Sequence, residues 1–331
     1  MQLELPFGGK VMVLGGDFRQ VLPVVRKGGR AELIASSIQK SPLWQSFTIY
    51  RLTENMRVTA HGDEWKRYLI EAGNGTIPVD NNDEIAIPEE LLCRQSLADE
   101  IFAPFFNGEC SDLSEVVILT PKNQDSLKIN NRILESMPGD DIVYKSIDTI
   151  VVEDPKDMLN LPTEFLNKMT PSELPPHELH IKKGCIVMLL KNLDMKEGLC
   201  NGTRLTVVET APRVLGCRFA CGSRKGSYVL IPRIDNYYSQ DLPFTLKRRQ
   251  FPVRLCFSMT INKSQGQTFS RVGISLNDRI FSHGQLHVAL SRARSKEGVK
   301  IESRNGLMQN IVYQEILYDT TVQNRDITHS V

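Results

Sequence analysis

The chain has 331 residues, 41% of them hydrophobic, which is length for about two domains with real cores and excludes wholesale disorder. A net charge of +1 means that bulk electrostatics point to no particular partner, and no apolar run approaches the ~20 residues of a membrane span. Seven scattered cysteines, an odd number, argue against a disulfide framework, and Met1 to Lys10 lacks the regions of a signal peptide, so the expected location is intracellular.

In chain order, Val11 to Leu14 is a short apolar run closed by Gly15 and Gly16, the pattern of a buried strand ending in a loop. Phe47 to Leu52 reads as another strand. Helical periodicity follows at Glu64 to Ala72 and Ser96 to Phe106, then a strand at Glu115 to Leu119 and a helix near Asp125 to Met137. This alternation predicts an α/β fold with a parallel sheet. Asp154 to Pro176 reads as a connector with one short helix near Glu164 to Lys168. Short β-like runs at Ile186 to Leu190, Arg204 to Val208, Val214 to Phe219 and Tyr228 to Ile231, punctuated by glycines, predict a small inserted antiparallel barrel. The α/β pattern resumes with Val253 to Phe257, Val272 to Leu276, a helix near Gln285 to Arg294, and Val299 to Ile301.

Charge is unevenly placed. Between Phe244 and Arg271 stand Lys247, Arg248, Arg249, Arg254, Lys263 and Arg271, with no Asp or Glu, a stretch suited to phosphates or simply a solvated face. The string Gly15-Gly-Asp-Phe-Arg-Gln-Val-Leu-Pro-Val24 puts Asp17 and Gln20 on a loop at a strand end, where open α/β sheets place ligands. A glutamine there can hydrogen-bond a terminal phosphate or its attacking water; the plainer reading is a strand-to-turn glycine pair. In Leu52-Thr-Glu-Asn-Met-Arg57, the Arg57 fork suits a phosphate, or pairs locally with Glu54. In Leu119-Thr-Pro-Lys-Asn123, Thr120 and Lys122 at a helix start suit a DNA phosphate, while Asn123 equally suits an N-cap.

Thr260-Ile-Asn-Lys-Ser-Gln-Gly-Gln-Thr268 interleaves hydroxyl, amide and amine donors in Thr260, Asn262, Lys263, Ser264 and Gln265, a set that suits a sugar-phosphate backbone and carries no base readout. Gly266 allows close approach of the main chain to a nucleotide and Gln267 supplies an amide; the alternative is a solvent-facing polar loop. Val288-Ala-Leu-Ser-Arg-Ala-Arg294 puts Arg292 near the end of an amphipathic helix, placed to neutralise charge between phosphates. Arg294 is a second contact or a residue favoured by the helix dipole. His283 and His287 are four apart, but Gly284 stands where a zinc protease needs glutamate. They read as surface or structural histidines, as do His177 and His180. The lone close pair Cys217 and Cys221 has no partner pair at zinc spacing.

Two elements are missing from the string. A phosphate-binding loop needs G-x-x-x-x-G-K followed by Ser or Thr, yet the only Gly-Lys step, Gly9-Lys10, is followed by Val11. An Asp-Glu pair ending an apolar strand is also absent: Asp63-Glu64, Asp83-Glu84 and Asp99-Glu100 lie in polar or helical surroundings.

With these motifs in this order, the chain resembles the petite-integration-frequency (PIF-type) DNA helicases. Within them it is similar to the branch carried by Helitron transposons, through Glu164-Phe-Leu-Asn167, Leu189-Leu-Lys-Asn-Leu-Asp194, Gly198-Leu-Cys-Asn-Gly-Thr-Arg204, Arg248-Arg-Gln-Phe-Pro252 and Phe281-Ser-His-Gly-Gln285. The resemblance implies an ATP-driven 5′→3′ motor on single-stranded DNA and DNA junctions, nuclear, serving repair, recombination, telomere maintenance or transposon replication. It implies a RecA-like P-loop NTPase core of two domains with a small β-barrel in the second. The expected segments are 1–58 (tail of the first RecA-like domain), 59–153 and 244–331 (the second), 154–181 (connector) and 182–243 (barrel). Gln20, Arg57, Gly266, Gln267 and Arg292 are then expected to face ATP. Thr120, Lys122, Thr260, Asn262, Lys263 and Ser264 are expected to face DNA, with Asp17 and Gln265 coupling the two. Family members often carry histidine where Asn262 stands, so no histidine role transfers.

The absent loop implies an N-terminal truncation, with the Mg²⁺ ligands outside the chain and independent turnover unlike that of the family. The competing expectations are a non-catalytic single-strand-binding remnant and an incomplete gene model; a metal-dependent nuclease lacks a carboxylate cluster.

Overall fold

The structure is a computed structural model that describes residues 6–25, 28–58, 62–80, 82, 84–108, 112–151, 161–240 and 242–317. The chain divides into two compact units: residues 1–93, 264–270 and 274–331 form the first, and 94–263 with 271–273 the second.

In the first unit, helix Asp63–Asn74 begins with Asp63 and Glu64, whose charges favour the positive end of the helix dipole. It ends at Gly75, whose φ of 67° permits the left-handed turn in which its N–H reaches the carbonyl of Ala72. Trp65, Leu69 and Ala72 recur at helical spacing and are buried. This helix packs on Gln285–Leu290, a short helix buried on every side. Strands Glu84–Ala86 and Leu307–Gln309 pair antiparallel, with Ile85 opposite Met308. A smaller core joins Leu22, Tyr313 and Ile316 to Phe18, Leu33, Ile34 and Ile311.

The expected strands at Val11 to Leu14 and Phe47 to Leu52 do not form. Neither run pairs with a strand among the described residues, and Val11, Val13 and Leu52 are 92%, 88% and 99% exposed. A buried-strand pattern becomes a strand only where neighbouring strands supply hydrogen bonds.

In the second unit, strand Val116–Thr120, buried at every residue, pairs in parallel with Ser258–Thr260. Helices Leu97–Phe106 and Asn123–Ser136 both pack on it. Asn130 fixes the pairing from the side: its amide donates to the carbonyl of Ser258 (2.8 Å) and its carbonyl accepts the Ser258 N–H (2.8 Å). The expected glycine-punctuated strands form an antiparallel sheet in the order Val253–Leu255, Ile186–Leu189, Arg204–Thr210, Val214–Phe219, Tyr228–Pro232. A second antiparallel sheet runs Ile234–Tyr238, Thr245–Gln250, Ile147–Val151. Among the described residues these pairings make open sheets, and no pairing closes either into a barrel.

Buried arginines tie this unit together. Arg204 donates to the carbonyls of Ser114 (2.7 Å) and Val116 (3.2 Å). Arg248 makes a fully buried ion pair with Asp148 (2.6 Å) and donates to the carbonyls of Leu166, Met169 and Pro175. Arg254 reaches those of Pro171 and Leu174. The 161–175 connector, with its expected short helix at Thr163–Lys168, is therefore held through its main-chain oxygens. Part of the expected connector, 154–160, lies outside the described residues.

Candidate functional site

In the first unit, the segment Ser264 to Ser270 lies along residues 288–294. The Phe269 N–H donates to the carbonyl of Arg292 (2.9 Å) and the Arg294 N–H to that of Phe269 (3.2 Å). This pairing ends the helix at Leu290, so Arg292 follows the helix instead of lying within it as expected. Arg292 is 1% exposed. Its Nε donates to the carbonyl of Val288 (2.9 Å), Nη1 to those of Gln267 (3.1 Å) and Ser264 (3.4 Å), and Nη2 to the Ser291 hydroxyl (2.8 Å).

Arg57 joins the same cluster. An Asn55 side-chain turn accepts the Arg57 N–H (3.0 Å), and the guanidinium donates to the Thr268 hydroxyl (2.9 Å) and the Ser291 carbonyl (2.9 Å). It makes no bond to Glu54, the local partner that the spacing offered. Burial lowers the pKa of Arg57. Burial, then the charge of Arg57, lowers that of Arg292 to about 10, with Asp17 opposing. Both remain cations at neutral pH, as an anion site requires.

The loop carrying Asp17 and Gln20 seats on helices Asp63–Asn74 and Gln285–Leu290. Asp17 Oδ1 accepts the Arg19 N–H (3.0 Å), its carbonyl accepts the Gln20 N–H (3.0 Å), and Arg19 Nε donates to Asn74 Oδ1 (2.7 Å). The His283 Nε2 proton goes to the carbonyl of Phe18 (2.8 Å) while Nδ1 accepts the Tyr313 N–H (2.8 Å), an arrangement that requires the neutral ring. Burial accordingly lowers the pKa of His283. His287 Nδ1 donates to the carbonyl of Leu69 (3.0 Å), and its Nε2 stands 3.6 Å from Asp17 Oδ2. Burial raises the pKa of Asp17, but hydrogen bonds from His287 and the Arg19 N–H, with the charges of both residues, outweigh it and hold the carboxyl at about 2.

Two glycines make this seating possible. A Cβ on Gly284, whose φ is 72°, would lie 2.4 Å from the carbonyl oxygen of Arg19 and 2.7 Å from the carbonyl carbon of Gln20. A Cβ on Gly73 would lie 2.7 Å from the His287 ring and from Arg19 Cδ. Gln20 itself is half-buried.

The expected DNA-facing residues are placed largely in the second unit. Thr120 and Thr260 are directly opposite each other in the parallel pair, so the turns that follow them leave the sheet together. Both threonines are buried, and the Thr120 hydroxyl donates to the carbonyl of Lys122 (2.9 Å). Lys122 is exposed and occupies the N-cap position of helix Asn123–Ser136 without a side-chain cap bond; Asn123, the alternative cap, is the first helical residue. Asn262 and Lys263 lie half-buried on the 3-10 turn Ile261–Ser264, which ends at buried Ser264. Burial, then the charge of Arg254, lowers the pKa of Lys263. Gln265 and Gly266 are exposed, and Gly266 has a φ of 78° with nothing within 4 Å of a Cβ built there.

The structure therefore gathers Asp17, Gln20, Arg57, Gln267 and Arg292 with Thr268, Ser291 and His287 in one unit, and Thr120, Lys122, Thr260, Asn262 and Lys263 in the other. Sequence reasoning missed Ser291, Arg19, Gly73 and Gly284, and read His283 and His287 as surface or structural histidines; they are buried and structural. The i, i+4 spacing of those histidines, read as one helix face instead of a metal motif, was the signal for them. Among the described residues, no three His, Cys, Asp or Glu side chains converge as metal ligands.

Helix-flanked parallel strands define an α/β fold. Residues 1–83 match the family model described as PIF1-like helicase, and 164–210 match that of the DNA helicase Pif1 2B domain. The ATP-dependent DNA helicase PIF1 of Danio rerio is 32% identical over 300 residues, covering 89% of this chain and 41% of that protein. Its Homo sapiens counterpart is 28% identical over 319 residues, covering 91% and 42%. A crystal structure of Pif1 helicase from Bacteroides in complex with ADP-AlF3 and ssDNA superposes with a TM-score of 0.66 at 25% identity, covering 95% of this chain and 67% of that one. That of Pif1 helicase from Candida albicans gives 0.61 at 25%, covering 95% and 69%. The fold is the RecA-like α/β fold of these helicases, and over residues 1–83 and 164–210 the chain is similar to the PIF1-like helicase family. It spans about two fifths of the length of these two curated relatives.

Proposed function

We propose that this chain carries the nucleotide-sensing and DNA-gripping residues of an ATP-dependent 5′→3′ DNA helicase of the Helitron-like branch. The observation that carries this reading is the Arg57–Ser291–Arg292 cluster, backed by the segment 264–268, with Asp17 acting on Arg292 through its charge.

The residues present fit a polyphosphate: two arginines bond the segment that carries Gly266, and the space where a Cβ would stand on that glycine is open. Arg57, Arg292, Gln20 and Gln267 would hold ATP, which when bound supplies the cleavable phosphate bond. Arg57 neutralises phosphate charge, and Gln20 presents its amide from a loop fixed by Asp17 and His283. Lys122, Asn262 and Lys263 take the backbone of single-stranded DNA, and Gln265, between the two sets in the chain, couples them. No Mg²⁺ ligand set is assigned to this chain. DNA junctions as substrates, nuclear location, and roles in repair, recombination, telomere maintenance or transposon replication accompany this reading by family resemblance.

A second reading, single-strand binding without turnover, is favoured by one specific fact: the 331 residues hold no G-x-x-x-x-G-K-[ST] string. ATP hydrolysis by the purified chain, with and without oligo(dT) and beside Arg57→Ala and Gln20→Ala, separates the two. DNA-stimulated turnover lost in both variants supports the motor. Oligo(dT) binding without turnover supports the binder, and absence of both rejects the proposal.

A further inference from the structure

The sheet Ile234–Tyr238, Thr245–Gln250, Ile147–Val151 has two unlike faces, because successive side chains of a strand point to opposite sides. Leu246, Arg248 and Gln250 are buried, and Arg248 holds Asp148 and the connector. The other face presents Lys247 and Arg249. Lys247 stands opposite Tyr237 on one side and Thr149 on the other; Arg249 stands opposite Asp235 and Ile147. Tyr237 is 53% and Ile147 64% exposed, and Lys191 Nζ lies over the Tyr237 ring, 6.0 Å from its centroid. Asp235 takes both Lys247 (2.9 Å) and Arg249 (3.3 Å). Lys191, Lys247 and Arg249 thus stand against one carboxylate, so the face carries net positive charge around an open aromatic ring.

An acidic protein segment would use the charge but has no need of the ring. Single-stranded nucleic acid uses both, since bases stack on aromatic side chains while cations track the phosphates. Lys247 and Arg249 are two residues apart on one strand, hence about 6.8 Å along it, a ladder for consecutive phosphates of an extended strand. We propose that this sheet face is a further docking surface for single-stranded DNA, with Tyr237 stacking a base and Lys191, Lys247 and Arg249 taking phosphates. The inference rests on the reading that the chain binds single-stranded DNA, and adds a surface apart from the Thr120 and Thr260 turns. Asp235 opposes the strand by occupying the two cations.

The test is oligo(dT) binding by fluorescence anisotropy over a salt series, on the full chain and on variants with unchanged circular dichroism. Tyr237→Ala is expected to weaken binding about 5- to 100-fold with the salt slope unchanged. Lys247→Gln with Arg249→Gln is expected to lower that slope by about 1 to 2. Asp235→Asn is expected to tighten binding several-fold at low salt, a gain that misfolding cannot imitate. Wild-type binding with all three variants unchanged overturns the inference and leaves the proposed function standing. Charge effects without a Tyr237 effect overturn it in favour of an unspecific polyanion patch, including one for acidic protein. No wild-type binding overturns both.

Discussion

Arg57 and Arg292 share one residue between them: the Ser291 carbonyl accepts Arg57 Nη1 while the Ser291 hydroxyl accepts Arg292 Nη2. Two cations, Arg292 buried and Arg57 half-buried, are thereby held together where burial disfavours charge, with Asp17 opposing the effect at Arg292. Like charges held together against desolvation are the arrangement expected where an anion is to be received.

Arg292 is as much a bracket as a charge. Arg292→Ala removes donors from the carbonyls of Val288 and Gln267 in a buried site, and a loss of about 2–4 kcal/mol in stability is expected. Thermal denaturation checks it, and an unchanged midpoint contradicts it. Arg57, half-buried with two bonds, is the gentler variant for functional assays.

Asp148→Ala is expected to destabilise the second unit by about 3–5 kcal/mol by leaving Arg248 buried without its acid. Replacing both residues, Asp148→Leu with Arg248→Met, is expected to recover part of that loss. Urea midpoints of the two variants decide; a double variant no better than the single one refutes the ion-pair account.

Acid should loosen the Asp17–Gln20 loop in two stages. The pKa of His283 is lowered on folding, so the unfolded chain takes up the proton first. The contribution of the neutral ring is complete above about 6.5 and is lost as pH falls below that toward the folded value. Asp17 is lowered from 3.8 to about 2, so its contribution is complete above 3.8 and is lost as pH falls from 3.8 to about 2. Hydrogen exchange of the Gln20 and Tyr313 amides against pH follows both stages. In His283→Gln the first is expected to flatten.

Gly284→Ala is expected to cost at least about 1–2 kcal/mol, since the added carbon meets the Arg19 carbonyl and the residue must keep a left-handed backbone. A thermal midpoint within error of the parent would show that the loop yields instead.

Much of the α/β skeleton was legible because its signals are local. Helices Asp63–Asn74 and Leu97–Phe106 announce themselves by apolar spacing and acidic first turns, and the strands from Ile186 to Pro232 by glycine turns. Strands Ile234–Tyr238 and Thr245–Gln250 were missed because Arg248, Asn236 and Gln250 are buried polar residues that break the alternation. Val11 to Leu14 was misread for the opposite reason: apolar residues declare a strand, but hydrogen-bonding neighbours make one. In the site, the motif strings pointed to Arg57 and Arg292, whereas Ser291, Gly284 and His287 act through contacts between distant segments that no spacing displays.

The pairing of Thr120 with Thr260, backed by the grip of Asn130 on Ser258, has a mechanical meaning. The turns after these threonines are hinged to one plate, because sliding either strand would break the parallel ladder and both Asn130 bonds together. Whatever lies across them meets a stiff double tooth instead of two independent fingers, so a push on one is felt by the other without delay or slack.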